Sequence, residues 1–160
     1  MARIIPNDAS YICFASSGGV ASASLIPTAA EVTASVNLTP FIMSLTASTQ
    51  GNVIPTPSFD SLFETSAVGT SSASFSMDCY RDDTADTAWT TLPRKTKGFV
   101  IISRFGGSGA LRKPTTGNVV EVWPIIVTSR SMAGMSNNTV QSFTVTCAVP
   151  TEPNEAATVT

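Results

Sequence analysis

Four runs of the chain carry the hydrophobic patterns of strands. In SFSMDCYR (74–81), Phe75, Met77 and Cys79 fall on one side, and Ser74, Ser76, Asp78 and Tyr80 on the other. That is a period of two, the mark of a half-buried strand. VQSFTVTCAV (140–149) repeats it, with Phe143, Val145, Cys147 and Val149 set against Ser142, Thr144, Thr146 and Ala148. GFVIISRF (98–105) is apolar on both sides until Ser103 and Arg104, as a strand covered on both faces would be. NVVEVWPIIVTSR (118–130) reads as one long strand. Its Pro124 demands an edge or a bulge, because proline donates nothing to a ladder. A fifth strand enters after Pro40, with Phe41, Met43 and Leu45 alternating with Ile42, Ser44 and Thr46.

The stretches between these runs predict the rest of the fold. Residues 1–27 are rich in Ala, Ser and Gly and lack periodicity, so they read as an extended N-terminal arm, ordered only where something else holds it. Thr28 and Glu31 have capping-box spacing after Pro27, which predicts a short helix over about 29–35. From Thr49 to Gly69 the chain carries Gly51, Pro55, Pro57 and Gly69, and reads as a long loop with a helical turn near SFDSLF. Asp82, Asp83 and Thr84 predict the cap of a second helix, about 84–92, anchored by Trp89 and stopped at Pro93. FGGSGALRKPTTGN and MAGMSNNT separate the later strands. The expectation is one mainly β domain over 28–160. It is an antiparallel barrel or sandwich, with the Trp89 helix closing a barrel end or covering a sheet edge.

Composition sharpens this picture. The chain has 160 residues, of which 12% are charged, with net charge −2. That is about half the usual charged share, with Ser, Thr and Ala in its place. Such a surface is cheap to desolvate, which suits a subunit buried among neighbours better than a lone monomer. The longest basic cluster, Arg94, Lys95 and Lys97, reads as a solvated turn and not a phosphate grip. Cys13, Cys79 and Cys147 are odd in number and without paired spacing, so they are expected as buried reduced thiols. No run reaches the ~18 apolar residues of a membrane span. The start of the chain has Arg3 and later small residues, as a secretory leader does. Pro6 and Asp8 interrupt it and YICFA is too short, so no leader is expected.

Candidate chemistry is sparse. There is no histidine, which removes Ser-His-Asp and Cys-His machinery and the usual zinc sites. Asp82, Asp83 and Asp86 lack EF-hand spacing and are accounted for by capping, so no metal is expected. FGGSG (105–109) lacks the following helix that a phosphate cradle needs. The sequons at Asn37 and Asn137 are expected to be unused. Trp89 and Trp123 read as a helix anchor and as a core or interface residue, ahead of stacking platforms for a sugar or base. No cofactor and no enzyme activity are expected.

Several stretches carry a family resemblance. SLFETS (61–66), YRDDTADTAWTTL (80–92), GFVIISRFGG (98–107) and AVPTEPNEAATV (148–159) resemble the major tail tube protein of long, non-contractile phage tails, those of actinobacterial hosts in particular. The resemblance covers roughly residues 28–160. It implies a β-barrel or sandwich subunit with one small helix, joined into hexameric rings that stack into a hollow tube of the virion, assembled in the host cytoplasm. It implies a lumen that holds the tape-measure protein and later passes double-stranded DNA, with terminator and baseplate proteins at the ends. It implies no catalytic residues.

A channel wall must let DNA slide, so it should be hydroxyl-rich and neutral to acidic, because Lys and Arg would hold phosphates. Ser74, Ser76 and Asp78 on one strand, and Ser142, Thr144 and Thr146 on another, are the expected lumen-facing residues. If Arg104 or Arg130 also pointed inward, each would need an acidic partner such as Asp78 or Glu121. The alternatives to a tube subunit are another tail ring component, such as a terminator or baseplate protein, and an extracellular adhesin-like β-sandwich binding module.

Overall fold

Period-two alternation obliges each strand to bury one face, and in the computed structural model the strands meet that demand by pairing into one antiparallel sheet folded upon itself. The structure describes residues 10–59, 62–63, 65–104 and 112–160. The strands are β1 (Tyr11–Ser16), β2 (Val36–Asn37), β3 (Ile42–Thr56), β4 (Thr65–Tyr80), β5 (Lys97–Ser103), β6 (Val119–Met132), β7 (Ser142–Ala148) and β8 (Asn154–Thr158). Two short helices, α1 (Ala29–Ala34) and α2 (Thr87–Thr91), and a 3-10 turn at Thr39–Phe41 interrupt them. The sheet order is β2-β1-β5-β6-β7-β4-β3, with β8 paired to β6.

Strand β6 joins the two halves. One edge, from Glu121 to Ile126, pairs with β5. Its other edge pairs first with β8, through Val119, Val120 and Val122, and then with β7 from Ile126 onward. Pro124 falls in the gap between those two partners, where no ladder bond is lost. A register shift between Val127 and Ser129 bends the strand as it passes from one half to the other.

Two cores result. The first lies between the halves: Ile12, Phe14, Val100, Ile102, Trp123 and Ile125 face Phe75, Met77, Phe143 and Val145. The Phe75 and Trp123 rings are 5.8 Å apart across it. The second core covers the opposite face of β1, β5 and the start of β6. Tyr11, Cys13, Ile101, Val120 and Val122 pack there with Val32 of α1 and Val159 near the C-terminus. Strand β5 is therefore apolar on both sides because each side has its own core. Gly98 lets β1 lie close, since a Cβ there would meet the Ala15 carbonyl at 2.3 Å.

Three expectations are corrected. The segment read as an N-terminal arm over 1–27 enters the fold at Tyr11. Strand β1 pairs with β5 over six residues and is buried from Tyr11 to Ala15. Ile12 and Phe14 enter one core and Tyr11, Cys13 and Ala15 the other, so the strand has no polar face to betray it. The segment read as a loop over 49–69 is mostly ladder, with β3 and β4 paired from Ile42↔Cys79 out to Thr56↔Thr65. Pro55 is tolerated because β3 is the sheet edge. The helical turn expected near 58–63 falls partly outside the described residues. The strand after Pro40 begins at Ile42, because Thr39–Phe41 is a 3-10 turn. A bulge at Met43 then shifts its phase, so Ile42, Leu45 and Ala47 face the core and Met43 is exposed.

Helix α1 follows its sequence closely. Glu31 N donates to Thr28 Oγ1 at 3.2 Å and Thr28 N donates to Glu31 Oε2 at 2.8 Å. Thr28 N, and after it Ala21 N, donate to the Glu31 carboxyl and hold it below its ordinary pKa. Thr28→Ala should cost about 1 kcal/mol. Urea unfolding of the free subunit followed by circular dichroism measures it.

Candidate functional site

The six residues expected to line a channel share one face. Pairing of β4 with β7 sets Ser76 opposite Thr146 and Asp78 opposite Thr144, while Ser74 meets Ala148 and Ser142 meets Tyr80. Their alternate neighbours, Phe75, Met77, Cys79, Phe143 and Val145, point into the first core. Opposed residues of a ladder lie on the same side, so register extends the face further than the sequence reading did. On β3, Ser44, Thr46 and Ser48 stand opposite Asp78, Ser76 and Ser74. On β6, Ser129 and Ser131 stand opposite Thr146 and Thr144. The sequence reading already sets Ser44 and Thr46 on one side of their strand; what it lacks is the pairing with β4 that joins them to Asp78 and Ser76.

Asp78 is the one charged residue among these face positions. Ser44 Oγ donates to its Oδ2 at 2.5 Å and Thr144 Oγ1 donates to its Oδ1 at 2.6 Å. Those two hydroxyls, Ser44 first, hold the Asp78 carboxyl below its ordinary pKa. Ser48 and Ser74 share a hydrogen bond of 2.9 Å on the same face. The surface is a hydroxyl array with one fixed negative charge, and none of its positions is Lys or Arg.

The basic residues that could have intruded are engaged elsewhere. Arg104 pairs with Glu121, donating through Nε and Nη2, the latter at 2.9 Å. Glu121 also accepts from Trp123 Nε1 at 3.2 Å, so it stitches the end of the core to the surface. Arg130 does not approach Asp78. Its guanidinium lies 3.8 Å from the Trp89 ring centroid and donates to the Trp89 carbonyl at 2.8 Å. Arg81 lies over the same ring at 4.3 Å and pairs with Asp86.

Trp89 thus contacts two cations and meets Phe143 edge-on, ring centroids 5.0 Å apart. The ring itself is half-buried; Ala88 and Leu92 are the fully buried residues of this segment. Helix α2 is shorter than expected, and its cap is corrected. Asp82 Oδ1 accepts from Thr84 N at 3.2 Å and Asp83 Oδ1 accepts from Thr84 Oγ1 at 3.0 Å, so neither reaches the helix. The N-cap position belongs to Asp86, in the left-handed region at φ 44 and without a side-chain cap bond. Local bonding of Asp side chains in the 81–86 loop competes with capping and delays the helix start.

Nothing in the described residues resembles a reactive centre. Cys13, Cys79 and Cys147 are buried and free, and burial pushes each thiol up to about 12. No group of His, Cys, Asp and Glu among the described residues could hold a metal ion.

A family model described as phage tail tube protein matches residues 4–160. No curated protein matches the chain. Among solved structures, the chain is similar to one from the virion of a native gene transfer agent particle, at 19% identity and TM-score 0.52, over 78% of this chain and 91% of that one. It is also similar to a chain of the anti-feeding prophage baseplate, 6-fold symmetrised, at 9% identity and TM-score 0.57, over 96% of this chain and 95% of that one. At these identities the likeness is one of fold.

Trp89→Ala should destabilise the subunit by about 3 kcal/mol, the low end for a large aromatic because the ring is half-exposed. Denaturant unfolding checks this, and an unchanged midpoint would show that α2 is peripheral. Asp78 has a lowered folded-state pKa, so its contribution is fully present above the ordinary carboxylate value and is lost as pH falls from there through the lowered folded-state value. Stability should therefore drop below about pH 4. Asp78→Asn should flatten that drop in thermal melts taken across the range.

Proposed function

The chain belongs to the phage tail tube protein family, and we propose that it is the major tube subunit, closing into hexameric rings that stack around a channel for DNA. The family is structural, so the protein is a virion component and not an enzyme. The resemblance of the stretches at 61–66, 80–92, 98–107 and 148–159 supports a long, non-contractile tail of an actinobacterial phage. The six-fold symmetrised baseplate chain with the same fold supports a six-membered ring.

The observation that carries the reading is the face spread over β3, β4, β7 and the end of β6. Its hydroxyls and its one carboxylate offer a passing duplex no cation to hold its phosphates. We assign this face to the lumen, where it would enclose first the tape-measure protein and then the genome. The β3–β4 hairpin is the candidate contact between rings, with Val53, Ile54, Val68, Phe59 and Leu62 exposed along it. An exposed apolar patch of this kind marks an association surface. Terminator and baseplate proteins would close the ends, and assembly would take place in the host cytoplasm.

Electron microscopy of the purified protein tests the assembly, with long tubes of stacked rings expected. Single rings would favour a terminator or baseplate component, and monomers alone would sink the tube reading. In assembled tails, Asp78→Lys should leave tubes intact and slow genome delivery, more so at low salt, where screening is weak. Normal delivery would remove Asp78 from the channel.

A further inference from the structure

The large apolar side chains left in solvent are not scattered. Among the described residues, all of them but Val36 and Val119 lie toward one end or the other of strand β4. At its start, Val53 and Val68 stand opposite each other in the hairpin ladder. Ile54 lies over Gly69 there, where a Cβ would meet it at 3.1 Å. Phe59 and Leu62 continue the patch toward the turn. At the far end of β4 are Tyr80, Met43, Met132, Met135 and Val140. Register fixes their place. Ser142 pairs with Tyr80 and Met132 with Phe143, so the β6–β7 turn closes beside the end of β4. Arg81 N donates to the Gln141 carbonyl and Ala133 N to the Ser142 carbonyl, both at 2.9 Å, which holds the turn there. Met43 sits in the β3 bulge, between Ile42 opposite Cys79 and Ser44 opposite Asp78. From Val68 to Tyr80 the strand runs roughly 40 Å, at ~3.3 Å per residue.

The two ends also share a lack of charge. Residues 42–59 and 65–77 contain no Lys, Arg, Asp or Glu, and neither do residues 131–142. Covering either surface therefore strips no charge of its water. The far end exposes three of the five methionines, Met43, Met132 and Met135. An unbranched thioether side chain adapts to an irregular partner. At on the order of 150 Å² for each large side chain, either end presents several hundred Å². That approaches the ~800 Å² that one partner brings to a standard interface, and patches of this size mark association surfaces.

We propose that the methionine-rich end, centred on Met132, Met135 and Val140 of the β6–β7 turn, receives the β3–β4 hairpin of a second copy of this chain. The proposal rests on the tube reading and deepens it by naming the surface on which the hairpin lands. Two different surfaces at opposite ends of one strand make a heterologous, head-to-tail contact, which repeats from copy to copy. Contact of hairpin with hairpin would instead close at two copies.

Cysteine cross-linking tests the contact, because all three native thiols are buried and leave the exposed surface clear. Val68→Cys and Met135→Cys are made as separate proteins, with Val53→Cys and Val140→Cys as a second pair. All four positions are exposed, and melting of each free subunit against wild type establishes folding. Mixed and oxidised, either pair should give a dimer on a non-reducing gel that neither member gives alone. Val68→Cys mixed with Val36→Cys, a control on β2, should give none. Val68→Asp, which puts a charge into the contact, should raise the concentration needed for association about tenfold. Electron microscopy of the same samples separates the two readings. Tubes without either cross-link would overturn the proposal and leave the tube standing. Cross-links without tubes would support the contact and remove the tube, and the absence of both would overturn both. A dimer formed by Val68→Cys alone, or more readily with Val36→Cys than with Met135→Cys, would also overturn the proposal.

Discussion

The fold depends on strand β6 binding on both edges at once. It holds β5 on one side and β8 and then β7 on the other, so the two halves of the sheet have no independent existence. A slip of one residue along β6 would turn Ile125 and Val127 away from the first core and would exchange Trp123 and Val122 between the two. The bulge at Val127–Ser129 and the break at Pro124 guard against that slip, because each fits only one alignment. Trp123 adds a third constraint, its ring set against Phe75 and its indole N–H against Glu121.

With both cores anchored to β6, the outward faces are free to carry other properties. The hydroxyl face costs little in stability, since its side chains satisfy one another: Ser44 and Thr144 on Asp78, Ser48 with Ser74. The α2 region works differently. Trp89 sits under two guanidinium groups whose apolar planes cover its ring while their charges reach Asp86 and a carbonyl. A half-buried aromatic is thereby shielded by cations that remain hydrogen-bonded.

Much of this was legible in the sequence wherever one face met water and the other a core. The runs around Phe75 and Phe143 show it, and their register then brought all six expected residues together. The capping box at Thr28 and Glu31 was legible because both partners lie within four residues. Strand β1 was not, since YICFA is covered on both sides and a strand with two cores has no alternation to display. Nor was the hairpin, whose outer ladder from Gly51 to Thr56 has both faces in solvent and a proline, Pro55, that an edge strand tolerates. The cap of α2 failed for another reason: three aspartates compete, and only three-dimensional bonding decides which leads the helix. Glu121 was a named candidate partner, but choosing it for Arg104 needed the β5–β6 pairing, and the Trp89 contact of Arg130 needed the fold.

The buried thiols have a consequence for how such a particle could be set off. With no histidine in the chain and every cysteine sealed in a core, the usual side-chain sensors of mild acidification and of oxidation are missing. Mild acidification finds no imidazole to protonate, and oxidation finds no exposed thiol. In a tail built from such a subunit, force or a displaced neighbour is a signal that needs neither group, passed mechanically from one subunit to the next.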